Sequence, residues 1–262
     1  MSVLIAIPAR YASSRYPGKP LVSLKGPDGD MTLICRSWEA AMAVRGVDRV
    51  VVATDDARIR DHAEGFGAEV VMTSSDCQNG TERCAEVAAL LPGFAVVVNL
   101  QGDAPLTPAW FVEELVAGLL ADPVADIATP VLRCEGRMLA GLLADRRAGR
   151  VGGTTAVFGA AMRAMYFSKE VIPFTGKTYG DDEATPVFHH VGVYAYRRQA
   201  LAAYPTWPVG PLERLEGLEQ LRFLEQGRQV LCVEVAAKDR QFWELNNPSD
   251  VPVIEAMMAA MG

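Results

Sequence analysis

The chain has 262 residues, half of them hydrophobic and 22% charged, with a net charge of −7. This composition excludes an intrinsically disordered chain, and the length supplies one large domain or two small ones with a sizeable core. The acidic total excludes a dedicated binder of nucleic-acid polymers, which carries a basic face. No apolar run approaches the ~20 residues of a membrane-spanning helix, so no membrane partner is expected. The start, Met1 to Arg10, lacks a basic stretch before its apolar residues and reads as a first strand, not a signal peptide. Five cysteines at irregular spacing form no CxxC pair, and the three histidines form no HxxxH pair. That speaks against a zinc site or a disulfide framework and fits a reducing, cytoplasmic setting.

The charge is unevenly spread. Residues 1–27 hold no Asp or Glu but carry Arg10, Arg15, Lys19 and Lys25, a local +4, so the remainder sums to −11.

The predicted elements alternate in the first half. Buried strands are expected at Val3–Ile7, Arg49–Ala53, Glu69–Met72 and Ala95–Leu100, with a fifth at Ala125–Val131. Helices are expected at about Thr32–Val44, Ala57–Gly65, Thr81–Leu91 and Pro108–Ala121. This alternation predicts parallel strands with helices on both faces, and ligands beyond the strands' carboxyl ends. After about residue 133 the rhythm changes. Thr154–Phe158, Ala164–Phe167 and Val187–Tyr196 read as antiparallel strands. A charged helix Leu212–Gln226, a strand Gln229–Val235 and a final helix Ser249–Met261, capped by Ser249, complete the chain. The expected arrangement is a single α/β domain over 1–262 with an inserted β-rich arm. About 1–133 would form one half and about 134–262 the other.

Five segments carry chemistry. The first, Ile7 to Leu21, follows the first strand directly. Its small residues (Ala9, Ala12, Ser13, Ser14, Gly18) allow close backbone approach, and Arg10, Arg15 and Lys19 are not neutralised by any carboxylate. Such a loop suits a polyphosphate. It is not a Walker A loop, because Gly18-Lys19 lacks the first glycine and the following Ser or Thr. Nor does a dinucleotide fingerprint follow the strand. Gly65-Phe66-Gly67 sits where a glycine ends a helix, which argues against an NAD-dependent oxidoreductase.

In the second, Val98 to Leu106, Asp103 follows an apolar strand in a tight turn. There it either holds Mg²⁺ against phosphate oxygens or simply forms the turn. The third, Thr73 to Cys84, is a polar loop running into a helix; its backbone could read a base edge while Arg83 faces phosphate. Thr81 and Glu82 have the wrong spacing for a capping box. In the fourth, His189 to Arg197, alternation places His190, Gly192, Tyr194 and Tyr196 on one face, either a polar substrate pocket or a packed sheet face. In the fifth, Pro211 to Arg222, Leu215, Leu218, Leu221 and Leu224 form a core stripe, while Glu216, Glu219 and Gln220 lie on a face that either is solvated or binds a ligand.

Together these segments resemble the 3-deoxy-manno-octulosonate (Kdo) cytidylyltransferase family, nearly end to end and in order. The specific pieces are Pro8-Ala-Arg-Tyr-Ala-Ser-Ser-Arg15 with Pro17-Gly-Lys-Pro-Leu21, Gly80-Thr-Glu-Arg83, Gln101-Gly-Asp103, Tyr166-Phe-Ser168, and Pro211-Leu-Glu213 with Leu218-Glu-Gln-Leu-Arg222. The resemblance implies a nucleotide-diphospho-sugar transferase-like (Rossmann-like) mixed sheet flanked by helices, with a β-rich arm that makes a homodimer. It implies transfer of CMP from CTP, with Mg²⁺, to a small acidic acceptor. Carried over, Arg10 and Lys19 bind the triphosphate and Arg15 assists at the mouth of the loop. Ala9, Arg83 and Gln101 join the CTP contacts, and Gln78, Asn79 and Gly80 lie where the family reads cytosine. Asp103 holds Mg²⁺, so Arg10, Lys19 and Asp103 are the catalytic set. Lys169, His190, Tyr194, Glu219 and Gln220 match the acceptor pocket.

Five positions depart from the family's pattern. Ala104 replaces Glu in Gln-Gly-Asp-Glu-Pro. Cys77 and Asn79 replace His and Ser in Asp-His-Gln-Ser-Gly. Thr155 replaces the lysine of Val-Lys-Val. Lys169 replaces the Arg of Tyr-Phe-Ser-Arg. Asn246 stands where the family has its second metal ligand, an aspartate. An amide oxygen can still face the metal there, but without charge. The pattern leaves three readings: the Kdo enzyme, the same chemistry on another ulosonic acid or a phosphonate, or an inactive nucleotide-binding homologue.

Overall fold

The computed structural model describes residues 1–12, 16–238, 240 and 243–261. Two compact units result. The first comprises Met1–Glu113, Ala195–Pro205 and Lys238–Gly262, and the second Glu114–Tyr194 and Thr206–Ala237. The boundaries interleave, unlike a single division near residue 133.

The first unit opens with β1 (Val3–Ala9), apolar and almost wholly buried. That is what a central strand covered on both faces requires. A 3-10 turn at Lys19–Leu21 and a short hairpin, β2 (Ser23–Leu24) with β3 (Met31–Thr32), lead into α1 (Leu33–Met42). The sequence signalled neither turn nor hairpin. Then come β4 (Arg49–Thr54), α2 (Ala57–Gly65), β5 (Glu69–Met72), α3 (Gly80–Leu90) and β6 (Val96–Leu100). These strands pair in parallel in the order β5-β4-β1-β6. Gly67, with φ at +90°, turns the chain from α2 toward β5, as the helix-ending reading of Gly65-Phe66-Gly67 expected. α4 (Ala109–Ala121) carries the chain out of this unit.

The second unit contains β7 (Ile127–Glu135), α5 (Gly136–Arg147), β8 (Thr154–Phe158), β9 (Ala164–Ser168) and β10 (Ala184–His190). The strands β7, β10, β8 and β9 pair antiparallel in that order. α5 was not predicted. It closes a small core of Cys134, Leu139, Leu142 and Val187. The expected long strand Val187–Tyr196 is two strands. β10 ends at His190, and β11 (Val193–Arg197) begins after Val191 and Gly192. Within β11 the chain returns to the first unit, where α6 (Arg198–Ala203) and a 3-10 turn at Tyr204–Thr206 follow.

The expected helix Leu212–Gln226 is also two: α7 (Pro211–Glu216) and α8 (Leu221–Glu225). Gly217, left-handed at φ +61°, ends α7. The predicted leucine stripe breaks with it. Leu221 is buried, but Leu215 is 83% exposed. β12 (Val230–Glu234) then pairs in parallel with β7, giving this unit a mixed sheet.

The C-terminal segment belongs to the first unit. A 3-10 turn at Pro248–Asp250 precedes α9 (Val251–Met261). The cap is Asn247, not Ser249: Asn247 and Asp250 form a reciprocal capping box. Ile254 and Met258 of α9 pack with Leu24, Leu33, Leu106 and Leu245. No helix among the described residues is long and apolar enough to cross a membrane.

Candidate active site

In the first unit, the carboxyl ends of β1 and β6 and the start of α3 converge. Gly102 packs directly on β1. A Cβ there would stand 2.7 Å from the Pro8 carbonyl oxygen, so only glycine allows this approach. Gly80, at the start of α3, is equally close. A Cβ would meet the Asn99 amide at 3.0 Å, the Pro8 ring at 3.3 Å and the Gln101 amide at 3.5 Å. Ala9 ends β1 and is buried; Arg10, the next residue, is exposed. Arg15 lies outside the described residues. Gly18, at φ +73° with the Tyr11 ring against it, starts the 3-10 turn that carries Lys19 inward. The Lys19 ammonium donates to Asp103 Oδ2 at 2.6 Å, and both side chains are partly exposed. The structure thus brings two of the three expected catalytic residues into direct contact, with Arg10 at the end of the adjoining strand.

Around the start of α3, side chains serve the loop itself. Asn79 Oδ1 accepts from the Glu82 backbone N–H at 2.9 Å, and Asn79 Nδ2 donates to the Tyr204 hydroxyl at 3.1 Å. Asn79 is therefore the helix cap, with Glu82 as its third helical residue; a cap starting at Thr81 misses this by two positions. Gln78 is exposed; its backbone N–H donates to Glu82 and its amide to the Asp76 carbonyl. Arg83 does not point to open space. It is 3% exposed, bonded to the Thr73 hydroxyl and paired with Asp55 at 3.1 Å. The expected phosphate contact is corrected accordingly: the pair with Asp55 commits the guanidinium inside the fold.

Asn99 was not singled out from sequence. It lies fully buried in β6, and neither atom of its amide has a hydrogen-bond partner among the described residues. Buried polar groups are nearly always paired, so an unpaired amide beside Gly80 and Gln101 makes Asn99 a candidate ligand contact. The available signal was a lone polar residue in the otherwise apolar run Val96–Leu100.

The Leu245 backbone N–H donates to the Asp103 carbonyl at 2.9 Å, which sets Asn246 alongside Asp103. Asp250 does not replace the missing carboxylate, because its Oδ2 accepts from the backbone N–H groups of Asn246 and Asn247. Mg²⁺ commonly takes one or two carboxylates and fills its shell with substrate phosphates and water. Asp103 supplies one such carboxylate, and Asn246 follows in sequence the residue bonded to its main chain. Among the described residues no group of three or more His, Cys, Asp or Glu could hold a metal unaided.

The five expected acceptor residues all lie in the second unit. Burial pushes the His190 ring down to about 3, with the neighbouring His189 adding to the effect. It is neutral at physiological pH. Thr129 Oγ1 stands 2.9 Å from His190 Nε2 and within hydrogen-bond distance of the Val191 and Val193 carbonyl oxygens, at 3.2 and 2.9 Å. The Tyr194 hydroxyl donates to Gln220 Oε1 at 3.1 Å, and Gln220 Nε2 is buried without a hydrogen-bond partner among the described residues. Glu219 is half-buried between α7 and α8, and Lys169 is half-buried after β9.

A family model described as cytidylyltransferase matches residues 4–230. A 3-deoxy-manno-octulosonate cytidylyltransferase of Maricaulis maris is 46% identical over all of this chain and 99% of its own. The chain belongs to the 3-deoxy-manno-octulosonate cytidylyltransferase family. An 8-amino-3,8-dideoxy-manno-octulosonate cytidylyltransferase of Shewanella piezotolerans is 37% identical, covering 99% of both chains. The solved CMP:2-keto-3-deoxy-manno-octonic acid synthetase complexed with CTP covers both chains fully, at TM-score 0.84 and 33% identity.

Within this cytidylyltransferase family, the departures from the pattern have local structural uses here. Thr155, in the lysine's place, is buried; its hydroxyl donates to the Glu170 carbonyl and accepts from the Ile172 N–H. Ala104 is buried in the turn after Asp103. Cys77 donates to Glu86 at 3.2 Å, and burial with that carboxylate pushes its thiol up to about 12, which leaves it unreactive.

Proposed function

We propose that this chain transfers CMP from CTP to 3-deoxy-manno-octulosonate and releases pyrophosphate. The observation that carries this reading is the meeting of Lys19 and Asp103 beside the Gly80 and Gly102 backbone at the ends of β1 and β6. In such transfers the protein mainly neutralises charge and holds the groups in line. The acceptor's anomeric hydroxyl attacks the α-phosphorus, its proton passes to water, and the bond from the α-phosphorus to the bridging oxygen breaks, so that pyrophosphate leaves. Lys19 and Arg10 offset the charge on the departing pyrophosphate. The Gln78–Gly80 main chain would face the cytosine through groups other than the Gln78 N–H, which Glu82 holds, since the Asn79 side chain caps α3. Asp103 and Asn246 would hold the Mg²⁺. When bound, the ion neutralises phosphate oxygens and orients them.

We assign the acceptor to Lys169, His190, Tyr194, Glu219 and Gln220. The partnerless donor on Gln220 supports this, because an acceptor oxygen would satisfy a group that is otherwise costly to bury. We also infer a homodimer. Phe174, Leu215 and Met165 of the second unit are 94%, 83% and 68% exposed in the single chain, as an interface with a second copy requires. The five free thiols fit a cytoplasmic setting.

The test is pyrophosphate release with CTP, Mg²⁺ and a panel of Kdo, its 8-amino analogue, other ulosonic acids and phosphonates. Kdo should be turned over with the highest kcat/KM. Turnover of another acid alone would overturn the acceptor, and silence with retained CTP binding would make the chain an inactive homologue. Light scattering should give the mass of two chains.

A further inference from the structure

The acceptor is an acid, and a carboxylate calls for a cation. His190 is held neutral by burial, so of the five assigned residues Lys169 alone brings positive charge. Its placement depends on one side chain that none of the acceptor assignments includes. Glu216, the last residue of α7, turns its carboxylate onto the end of β9. Oε1 accepts from the Ser168 hydroxyl at 2.6 Å and from the Tyr166 hydroxyl at 3.4 Å. Oε2 accepts from the Lys169 backbone N–H at 2.9 Å. Ser168 is itself buried and accepts from the Glu170 N–H, so the main chain on both sides of Lys169 is fixed. The next residue, Gly217, completes the arrangement. A Cβ there would stand 3.1 Å from the Lys169 ammonium, so the missing side chain leaves the ammonium its place at the carboxyl end of α7.

We propose that Glu216 is a positioning residue for the transfer reaction: its carboxylate fixes the Ser168–Lys169 main chain and so sets the Lys169 ammonium for the acceptor's carboxylate. This rests on the assignment of Lys169 to the acceptor. A glutamine has a single acceptor oxygen for the two sites and no charge, so it cannot accept from both the Ser168 hydroxyl and the Lys169 N–H as the carboxylate does. An aspartate keeps the charge and both acceptor oxygens on a shorter arm.

The test is steady-state kinetics with CTP, Mg²⁺ and Kdo on Glu216→Gln, Glu216→Asp, Lys169→Met and the double variant Glu216→Gln with Lys169→Met. Glu216→Gln should raise the KM for Kdo roughly tenfold, the scale of a charge-assisted hydrogen bond, and leave the KM for CTP unchanged. Glu216→Asp should recover part of that loss. The double variant should be no worse than Lys169→Met alone, because Glu216 acts through Lys169. Multiplying effects in the double variant, or a parallel rise in both KM values, would overturn the positioning role. If Lys169→Met leaves the KM for Kdo unchanged, the assignment of Lys169 itself fails, and the inference with it. Calorimetric titration with CTP verifies that each variant retains its fold.

Discussion

Lys19 Nζ and Asp103 Oδ2 lie 2.6 Å apart, with both side chains partly exposed, and in the proposed transfer each would exchange this partner for phosphate or metal. Removing the ammonium leaves Asp103 free but the departing pyrophosphate unneutralised. Lys19→Gln should lower kcat roughly 100-fold, read as pyrophosphate release at saturating substrates; a loss confined to KM would place Lys19 in ground-state binding only. Asn246 tests the metal. Restoring a carboxylate by Asn246→Asp should cut the Mg²⁺ needed for half-maximal rate by about tenfold, because charge count tunes affinity at oxygen sites. An unchanged Mg²⁺ titration would show that Asn246 does not face the ion. Asn99 has an orphan amide in an apolar strand. Asn99→Leu should hold or raise Tm while raising the KM for CTP, since an unpaired buried amide costs stability and is retained for function. At this scale the sequence placed Arg10 at the end of β1 and suggested that Lys19 and Asp103 lie near one another, as their contact shows. It was not legible where a charged side chain turns inward, as Arg83 does toward Asp55, because composition does not reveal partners across the fold.

The strands and helices of the first unit were readable because each is a short apolar run or an amphipathic stretch, bounded by a turn. β5 and α2 fall on their predicted bounds. The second unit was less readable, and the cause lies in single residues. Gly217 takes a left-handed conformation and splits one expected helix into α7 and α8. One expected strand likewise becomes two, β10 and β11, with Val191 and Gly192 between them. What holds α7 to α8 is a buried ion pair: Arg222 Nε and Nη2 donate to Glu213 at 2.7 and 2.8 Å, with both side chains almost fully enclosed. Breaking one partner strands a buried charge. Arg222→Leu should cost about 3–5 kcal/mol, while Glu213→Leu with Arg222→Leu should be close to neutral. Chemical denaturation of both variants measures this; equal losses would mean that the pair itself stabilises the turn.

The whole molecule combines an acidic total with a basic first loop, and an acidic total is no barrier to binding a nucleotide. Its stability should also depend on pH through two histidines. Burial pushes His189 down to about 4 and His190 to about 3, the latter helped by its neighbour. In the unfolded chain both take up protons near 6.5. The unfolded state therefore binds more protons below that value, and stability falls as pH drops from about 6.5 toward 4. Tm should decline between pH 7 and 5, before ordinary carboxylates begin to titrate; a flat Tm across that range would contradict rings held neutral in the folded chain. The transfer itself is tested most directly by incubating the protein with CTP labelled at the α-phosphate, Mg²⁺ and Kdo, and weighing the products. The labelled phosphate should appear in CMP-Kdo, with one pyrophosphate for each molecule formed. Label in free CMP alone, or CTP recovered intact, would contradict the account.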